Sequence, residues 1–307
     1  MGLTAAGLLR LLALAVALGV GAMSALMVWA QAAGRPGLAL AAGMVLALVL
    51  ALHPTVLALE TLLAWREAQR GPGPRAGWRV WVAAWAAEVP VSLRAFAWRM
   101  PWRAQAQPDH LPPDAAGRRG VLLVHGYLCN RGLWNGWLER LRRRGVPVVA
   151  VNLEPVLGRI EQTVPALEAG MRRLEACTGV PPVVVAHSMG GLALRCWWAA
   201  HDGDVRIHHA ITIATPHRGT VLARFGLSPN ARQMRPGSRW LQALAAAEPA
   251  DRAARCTCLL AGCDNVVFPA ALAVWPGAAA AMVEGAAHLD LIDRPQAWAA
   301  LERALAG

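Results

Sequence analysis

The sequence predicts an α/β fold, a mainly parallel sheet flanked by helices, preceded by two transmembrane helices and an amphipathic linker. Three observations lead to this prediction. From residue 120 onward, short β-branched runs alternate with helical stretches, which is typical of parallel sheets covered on both faces. Two long uncharged segments stand near the N-terminus. Between these parts, residues 60–119 are rich in tryptophan and arginine.

The composition indicates a chain that is partly embedded in a membrane. Hydrophobic residues make up 56% of the 307 residues and charged residues only 16%, against about 25% in a typical soluble domain. These proportions exclude a disordered chain, a fibrous repeat and a nucleic-acid-binding tail. The net charge of +11 comes from arginine alone, since the chain contains no lysine. We interpret this charge as a coding bias and expect no nucleic-acid partner.

Residues 1–59 are predicted to form a transmembrane hairpin. Residues 11–30 and 37–59 lack charged side chains, and a helix needs about 20 apolar residues to cross a bilayer core. We therefore place the spans at about residues 8–30 and 37–59. A buried helix pair and a cleaved signal peptide are the alternatives.

The arginine distribution predicts which side of the membrane carries the C-terminal domain. Two spans return the chain to the side of Met1. Several arginines follow the second span closely, whereas Arg35 alone lies between the spans. The positive-inside rule therefore favours a multi-pass protein of the cell inner membrane with its C-terminal domain in the cytoplasm. A domain that faces the periplasm is the alternative.

Residues 60–119 are predicted to be a basic interfacial helix and linker. Trp78, Trp81 and Trp85 follow helical spacing on one face. An amphipathic helix with tryptophan and arginine suits the headgroup layer, because an indole has an apolar body and a polar N–H. Packing of these side chains against the following domain is an equally weighted alternative. Residues 108–120 are predicted to form an exposed linker.

Residues 120–307 are predicted to form the α/β domain. The expected strands are residues 121–124, 146–151, 183–186, 207–214, 257–261 and 280–284. The expected helices are residues 134–144, 160–176, 190–201 and 296–305. Residues 220–251 are long for a loop and carry apolar side chains, so we expect a lid-like insertion there. A simple helical excursion on the surface is the alternative.

A serine lies between the third predicted strand and the helix that follows it. Residues 186–191 read Ala-His-Ser-Met-Gly-Gly. A sharp strand-to-helix turn demands small residues two positions either side of the serine, and Ala186 and Gly190 meet this demand around Ser188. A serine hydroxyl becomes a nucleophile only beside a base. The backbone N–H of Met189, at the positive end of the helix, is then the expected donor to an oxyanion.

This segment and several others resemble the α/β-hydrolase family, and within it the bacterial lipases and esterases. The family's turn is usually Gly-x-Ser-x-Gly, here with Ala186 in place of the first glycine and with His187 and Gly190 supporting the turn. Residues 212–219 resemble the lipase segment Thr-Pro-His-x-Gly. The resemblance covers roughly residues 120–305 and implies the α/β-hydrolase fold.

The resemblance also implies an oxyanion loop. Residues 121–126, Val-Leu-Leu-Val-His-Gly, look like the family's strand that ends in His-Gly. His125 and Gly126 would support that loop. The next backbone N–H, that of Tyr127, would be the second oxyanion donor.

The family's chain order selects the acid and the base, because the acid follows the serine and the histidine follows the acid. Asp264 follows a predicted strand, where the family places its acid, and His288 lies in a segment that resembles the family's histidine loop. Asp290 and Asp293 come after the histidine, which is the wrong order. Asp251 follows no strand.

The predicted function is a membrane-anchored serine hydrolase that cleaves carboxylic esters through a Ser-His-Asp triad and an acyl-enzyme. Its expected partners are a lipid or acyl-ester substrate and the bilayer, with no obligatory protein partner. No metal or organic cofactor is expected: the Cys-x-Cys of residues 256–258 has no second Cys/His cluster nearby, and no acidic cluster supports calcium. An acyltransferase with the same triad and a non-catalytic binding module on the same fold are the alternatives.

Overall fold

Two long helices joined by a short turn begin the chain. The computed structural model describes residues 4–71, 76–201, 205–249 and 251–307. Helix α1 comprises Ala5–Ala32 and helix α2 comprises Pro36–Arg70. Both are long and apolar enough to cross a membrane. Many of their large apolar side chains are exposed, including Leu18 at 73% and Leu48 at 69%.

The predicted spans lie within these helices, but α2 is longer than the sequence indicated. The sequence predicts the end of the second span at Leu59, because Glu60 is the first charged residue after it. The helix continues to Arg70. A charged residue such as Glu60 is compatible with an α-helix outside the apolar layer, so it does not mark the end of the helix. Its last part packs on the domain that follows.

A third helical stretch comes next. Helix α3 (Trp78–Leu93) continues through a π-helical turn (Arg94–Arg99) into the short helix α4 (Met100–Trp102). By length and composition this stretch is also able to cross a membrane. Trp81 is buried, whereas Trp78 is 61% exposed. The tryptophan face is therefore divided, with one indole packed against the domain and another directed outward.

Both ends of the hairpin lie beside α3 and α4. Arg10, near the start of α1, donates from Nε to the carbonyl oxygen of Pro101 at 2.5 Å. Trp85 of α3 donates from Nε1 to the carbonyl oxygen of Pro54 in α2 at 3.0 Å. The first turns of α1 and the second half of α2 are thus held against the same neighbouring helices.

Residues 108–120 are tied to the domain, although the sequence predicted an exposed linker. The Asp109 carboxylate accepts a hydrogen bond from Arg131 at 2.5 Å. His110 forms an isolated antiparallel bridge with Val148. These partners lie more than twenty residues away in the sequence, so local composition could not reveal them.

A sheet of parallel strands forms the centre of the remaining chain, as the alternating pattern predicts. In the described residues its order is β2-β1-β3-β4-β5-β6. The strands are β1 (Val121–Val124), β2 (Val148–Ala150), β3 (Val183–His187), β4 (His209–Ile213), β5 (Cys256–Ala261) and β6 (Ala279–Val283). Each neighbouring pair is parallel. The first three strands are fully buried, as their β-branched, uncharged composition requires.

Helices cover both faces of this sheet. They are α5 (Asn135–Arg143), α6 (Val164–Thr178), α7 (Met189–Ala200), α8 (Pro229–Gln233), α9 (Arg239–Ala246), α10 (Asp290–Asp293) and α11 (Pro295–Ala306). One face packs against α5 and α11, where the rings of Trp137 and Trp298 lie 5.2 Å apart. The other face packs against α6 and α7 through Leu167 and Trp197.

The strand order creates a crevice between β1 and β3. The chain passes from β1 outward to β2, then crosses back to β3 and continues in the opposite direction. Ligands bind at such a reversal in open α/β sheets, beyond the carboxyl ends of the strands. Val124 is level with Ala186, so the segments that begin at His125 and Ser188 emerge side by side.

Candidate active site

Ser188 occupies a strained turn between β3 and α7. Its φ is 54° and its ψ is −130°, a conformation that residues with a side chain rarely adopt and that is concentrated at functional sites. A Cβ atom on Gly190 would lie 2.5 Å from the carbonyl oxygen of His125, and one on Gly191 would lie 2.2 Å from Thr215 Oγ1. Close approach of the chain therefore requires glycine at both positions.

A chain of hydrogen bonds joins Ser188, His288 and Asp264. Ser188 Oγ lies 3.1 Å from His288 Nε2, and His288 Nδ1 lies 3.0 and 3.2 Å from the two Asp264 oxygens. All three side chains are more than nine-tenths buried. A hydroxyl, a base and an orienting carboxylate within hydrogen-bond reach permit proton transfer from the serine. The fold brings together the residues that the sequence selects, and their catalytic role stays a prediction.

The loops after β5 and β6 present the acid and the base. Asp264 follows β5, and its Oδ1 accepts the backbone N–H groups of Val266 at 2.9 Å and Val267 at 2.8 Å. His288 follows β6, and its own backbone N–H donates to Asn265 Oδ1 at 3.4 Å. These bonds fix the orientation of the carboxylate and link the two loops.

The surroundings of His288 favour its protonated form. Burial opposes a charge on the imidazole, but the Asp264 carboxylate outweighs it and, together with Glu88 and Glu60, raises the pKa of His288 above its ordinary value. An imidazolium that forms when Ser188 loses its proton is therefore stabilised.

Two further histidines stay neutral beside this chain of hydrogen bonds. Burial, assisted by the charge of His288, holds the pKa of His187 well below its ordinary value. Burial lowers the pKa of His125 to about 4. Neutral His125 accepts the N–H of Leu153 at Nε2 and donates from Nδ1 to the carbonyl oxygen of Gly126, both at 2.9 Å. His125 thereby links the segment after β1 to Leu153, and its support of an oxyanion loop stays a prediction.

The predicted oxyanion donors flank Ser188. Met189 is the first residue of α7, and the first N–H groups of a helix have no partner within it. Gly126 lies against the serine, because a Cβ atom on it would be 2.8 Å from Ser188 Cβ, and Tyr127 follows directly. Both backbone segments thus lie beside the hydroxyl, and oxyanion binding itself stays a prediction.

Comparison with known structures identifies the fold. No protein-family profile and no curated protein matches the sequence. The mature form of lipase BlEst2 from Bacillus licheniformis is 16% identical, with a TM-score of 0.55 over 63% of this chain and 95% of that chain. Lipase B from Aspergillus fumigatus is 17% identical, with a TM-score of 0.53 over 66% of this chain and 57% of that chain. The chain has the α/β-hydrolase fold. This confirms the predicted fold class.

The insertion predicted as lid-like in this α/β-hydrolase fold, residues 220–251, contains α8 and α9. The Tyr127 hydroxyl lies 3.1 Å from Oγ of Ser228, the residue that caps α8. Phe225 and Leu227 are 71% and 78% exposed. The insertion is therefore anchored next to the predicted oxyanion loop and carries an exposed apolar tip. Its movement as a lid stays a prediction.

Three potential metal ligands lie close together on the face of the sheet that packs against α6 and α7. Among the described residues, His217, Cys256 and Cys258 form a buried group whose ligand atoms lie within 4.8 Å of one another. Thr212 Oγ1 lies 2.9 Å from His217 Nε2. The sequence predicts no zinc site at residues 256–258, because no second Cys/His cluster lies nearby in the sequence. The donor types suit Zn²⁺, but none of these residues belongs to the chain of hydrogen bonds at Ser188.

Two glutamates from outside the α/β-hydrolase fold also reach the site, and the sequence pattern does not predict them. Glu88 of α3 accepts the backbone N–H groups of Leu289 and Asp290. Glu60 of α2 accepts a hydrogen bond from Asn265 Nδ2 at 3.1 Å. For Glu88 the available signal was that it is the single acidic residue of the apolar helix α3. Such a residue is seldom buried without a partner.

Proposed function

We propose that the protein is a membrane-anchored serine hydrolase that cleaves carboxylic esters. The hydrogen-bonded chain from Ser188 through His288 to Asp264 carries this proposal, because it stands at the carboxyl ends of three strands of an α/β-hydrolase fold. Lipases of the same fold support an ester as the substrate class. The exposed apolar surface of α1 and α2 supports a lipid or acyl ester that is met at a bilayer.

In the first half-reaction Ser188 Oγ attacks the acyl carbonyl carbon while His288 Nε2 takes the serine proton. Asp264 holds the imidazole and stabilises its positive charge. The backbone N–H groups of Tyr127 and Met189 bind the negative carbonyl oxygen. Collapse of this intermediate breaks the ester C–O bond, and His288 returns the proton to the departing alcohol. The acyl group remains on the serine.

In the second half-reaction a water molecule attacks the acyl carbon while His288 takes one of its protons. Collapse releases the carboxylic acid, and the proton returns to Ser188 Oγ. An alcohol or thiol in place of water would transfer the acyl group to that acceptor, so product analysis with and without added acceptor separates hydrolysis from acyl transfer.

The test uses the full chain in detergent, a panel of esters with acyl chains of varied length, and a fluorophosphonate probe. We expect wild-type protein to hydrolyse esters and to be labelled. Ser188→Ala should abolish labelling and lower kcat by at least about a thousandfold, because the nucleophile acts only as part of the triad. Ser238→Ala, which alters a hydroxyl that caps α9, is the control and should be labelled like wild type.

Two outcomes would contradict the proposal. Unchanged hydrolysis by Ser188→Ala would exclude this nucleophile. A folded wild-type protein that neither reacts with the probe nor cleaves any ester of the panel would favour a non-catalytic binding module.

A further inference from the structure

We propose that Glu60 and Glu88 are positioning residues, through which the N-terminal helices hold the loops that carry the acid and the base. The proposal rests on the proposed function, since it assigns a role at the same site. Neither glutamate lies in the α/β-hydrolase fold itself. Glu60 comes from α2 and Glu88 from α3, so the site draws part of its support from the helices that precede the fold.

Glu88 caps the short helix that begins just after His288. The residue at the N-cap of α10, Leu289, provides no capping side-chain hydrogen bond. Instead the Glu88 carboxylate accepts the N–H of Leu289 at 2.9 and 3.1 Å and the N–H of Asp290 at 2.9 Å. Glu88 is only 2% exposed. A carboxylate that satisfies unpaired N–H groups at a helix start stabilises that start, and here it fixes the backbone beside the base.

Glu60 acts through Asn265, which belongs to the loop that carries Asp264 and is hydrogen-bonded to the loop that carries His288. Its Oε2 accepts a hydrogen bond from Asn265 Nδ2 at 3.1 Å. Asn265 Oδ1 accepts the backbone N–H of His288 at 3.4 Å, and Asn265 directly follows Asp264. Because the amide has one donor end and one acceptor end, Glu60 sets which end faces the histidine loop.

A small apolar core surrounds these contacts. Ala64 of α2 and Trp81 of α3 pack in one buried cluster with Cys263, Phe268 and Ala287. Cys263 precedes the acid and Ala287 precedes the base. The glutamates therefore lie in a packed interface, where a hydrogen bond to a charged group holds geometry better than at an exposed surface.

The two glutamates also affect the charge at His288. Three carboxylates act on this imidazole, those of Asp264, Glu88 and Glu60, while the neutral His187 ring lies 4.7 Å away between centroids. Negative groups stabilise the imidazolium that forms during acyl transfer. Burial raises the pKa of Glu88 to about 7, so its charge is complete only above that pH. Where the two glutamates are ionised, removal of their charges should make His288 easier to deprotonate.

The test compares Glu88→Ala, Glu88→Gln and the double variant Glu60→Gln/Glu88→Gln with wild type, all as full chains in detergent. Active sites are counted with the fluorophosphonate probe, so that kcat refers to labelled serine only. We expect Glu88→Ala to lower kcat about ten- to a hundredfold with little change in KM, because small displacements of a catalytic group are costly. Glu88→Gln should retain more activity, since its amide oxygen still accepts N–H groups.

The pH profile distinguishes positioning from a merely structural role. In the double variant the acid limb of kcat/KM should move to lower pH, because the loss of negative charge lowers the pKa of the base. Glu67→Gln is the matched control. Glu67 lies on α2 as well, but it pairs with Arg70, whose side chain is 73% exposed. This control should reproduce the wild-type kcat and profile.

The proposal is overturned if Glu88→Ala and the double variant keep both the wild-type kcat per labelled serine and the wild-type acid limb. Should the alanine variant not fold, the two glutamine variants decide, since glutamine preserves the volume of the side chain. A folded wild-type protein that fails to label overturns the proposed function first, and is thereby distinct from a failure of the positioning role alone.

Discussion

At the scale of single residues, the site leaves little free space around Ser188. A Cβ atom at Gly126 would meet Ser188 Cβ at 2.8 Å, and one at Gly190 would meet the carbonyl oxygens of His125 and Val124 at 2.5 and 2.8 Å. Backbone atoms cannot relieve such a clash by a rotamer change, as a flexible side chain can. The small residues of the motif are therefore a requirement of the fold at this turn, in addition to any catalytic role.

Gly190→Ala tests this requirement. We expect the substitution to destabilise the protein by roughly 1–3 kcal/mol, as overpacking does, and to abolish fluorophosphonate labelling by displacing Ser188. The control is Gly136→Ala in α5, where nothing lies within 4 Å of the added Cβ. That change should stabilise the helix by about 0.5–1 kcal/mol. Denaturant unfolding measures both effects, and a fully labelled, equally stable Gly190→Ala would contradict the argument.

The pH dependence of hydrolysis follows from His288. The base must be neutral to take the serine proton, so kcat/KM should fall as pH drops through the pKa of His288, which lies above its ordinary value. Asp264→Asn removes the charge that contributes most to raising it. We expect this variant to lose about 10⁴ in kcat and to shift the acid limb to lower pH. An unchanged limb would mean that another group governs the titration.

At the scale of elements, the sequence predicts the strands well and the helices before them less well. The strands are evident because buried parallel strands are short uncharged β-branched runs, such as Val121–Val124 and Val183–His187. Ser188 is indicated by the small residues around it, whereas Asp264 and His288 follow from the resemblance to the α/β-hydrolase family, which places its acid and base after later strands. The contacts of Glu60 and Glu88 are not predictable in this way, since their partners lie about 200 residues further along the chain.

The insertion at residues 220–251 provides a test at the same scale. Phe225→Ser/Leu227→Ser removes the apolar tip, whose side chains are 71% and 78% exposed. We expect hydrolysis of lipid esters in vesicles to fall several-fold, because apolar area that could enter the interface is lost, while hydrolysis of a short soluble ester stays unchanged. Val205→Ser, at another 78% exposed position, is the control. Equal loss on both substrates would exclude a role at the interface.

At the scale of the whole molecule, helices α2 and α3 pack directly against the α/β-hydrolase fold. Three helical stretches are apolar enough to cross a membrane, but they differ in what they contact. Glu88, midway along α3, is buried against the loop after His288. Glu88 therefore contacts the α/β-hydrolase fold and not lipid. We expect α1 and α2 to cross the membrane, and α3 to remain packed against the α/β-hydrolase fold without crossing.

The topology of the chain tests this expectation. With two crossings, the N-terminus and the domain with the α/β-hydrolase fold share one side, and the turn between α1 and α2 lies on the other. Reporters fused at either terminus should be active in the same compartment, which the arginine distribution predicts to be the cytoplasm. A reporter inserted in the turn after Ala32 should show the opposite behaviour. Termini on opposite sides would mean that α3 crosses as well.

Helix α2 runs from the turn at Pro36 through Pro54 to Arg70, and Glu60 in its second half accepts a hydrogen bond from Asn265 in the loop that carries Asp264. If α2 crosses the membrane as we expect, this contact ties the candidate site to a helix embedded in the bilayer. Substrates would then reach the site by lateral diffusion within the bilayer, which is a two-dimensional search. The velocity should then follow the mole fraction of substrate in the bilayer and become insensitive to the volume of water around it.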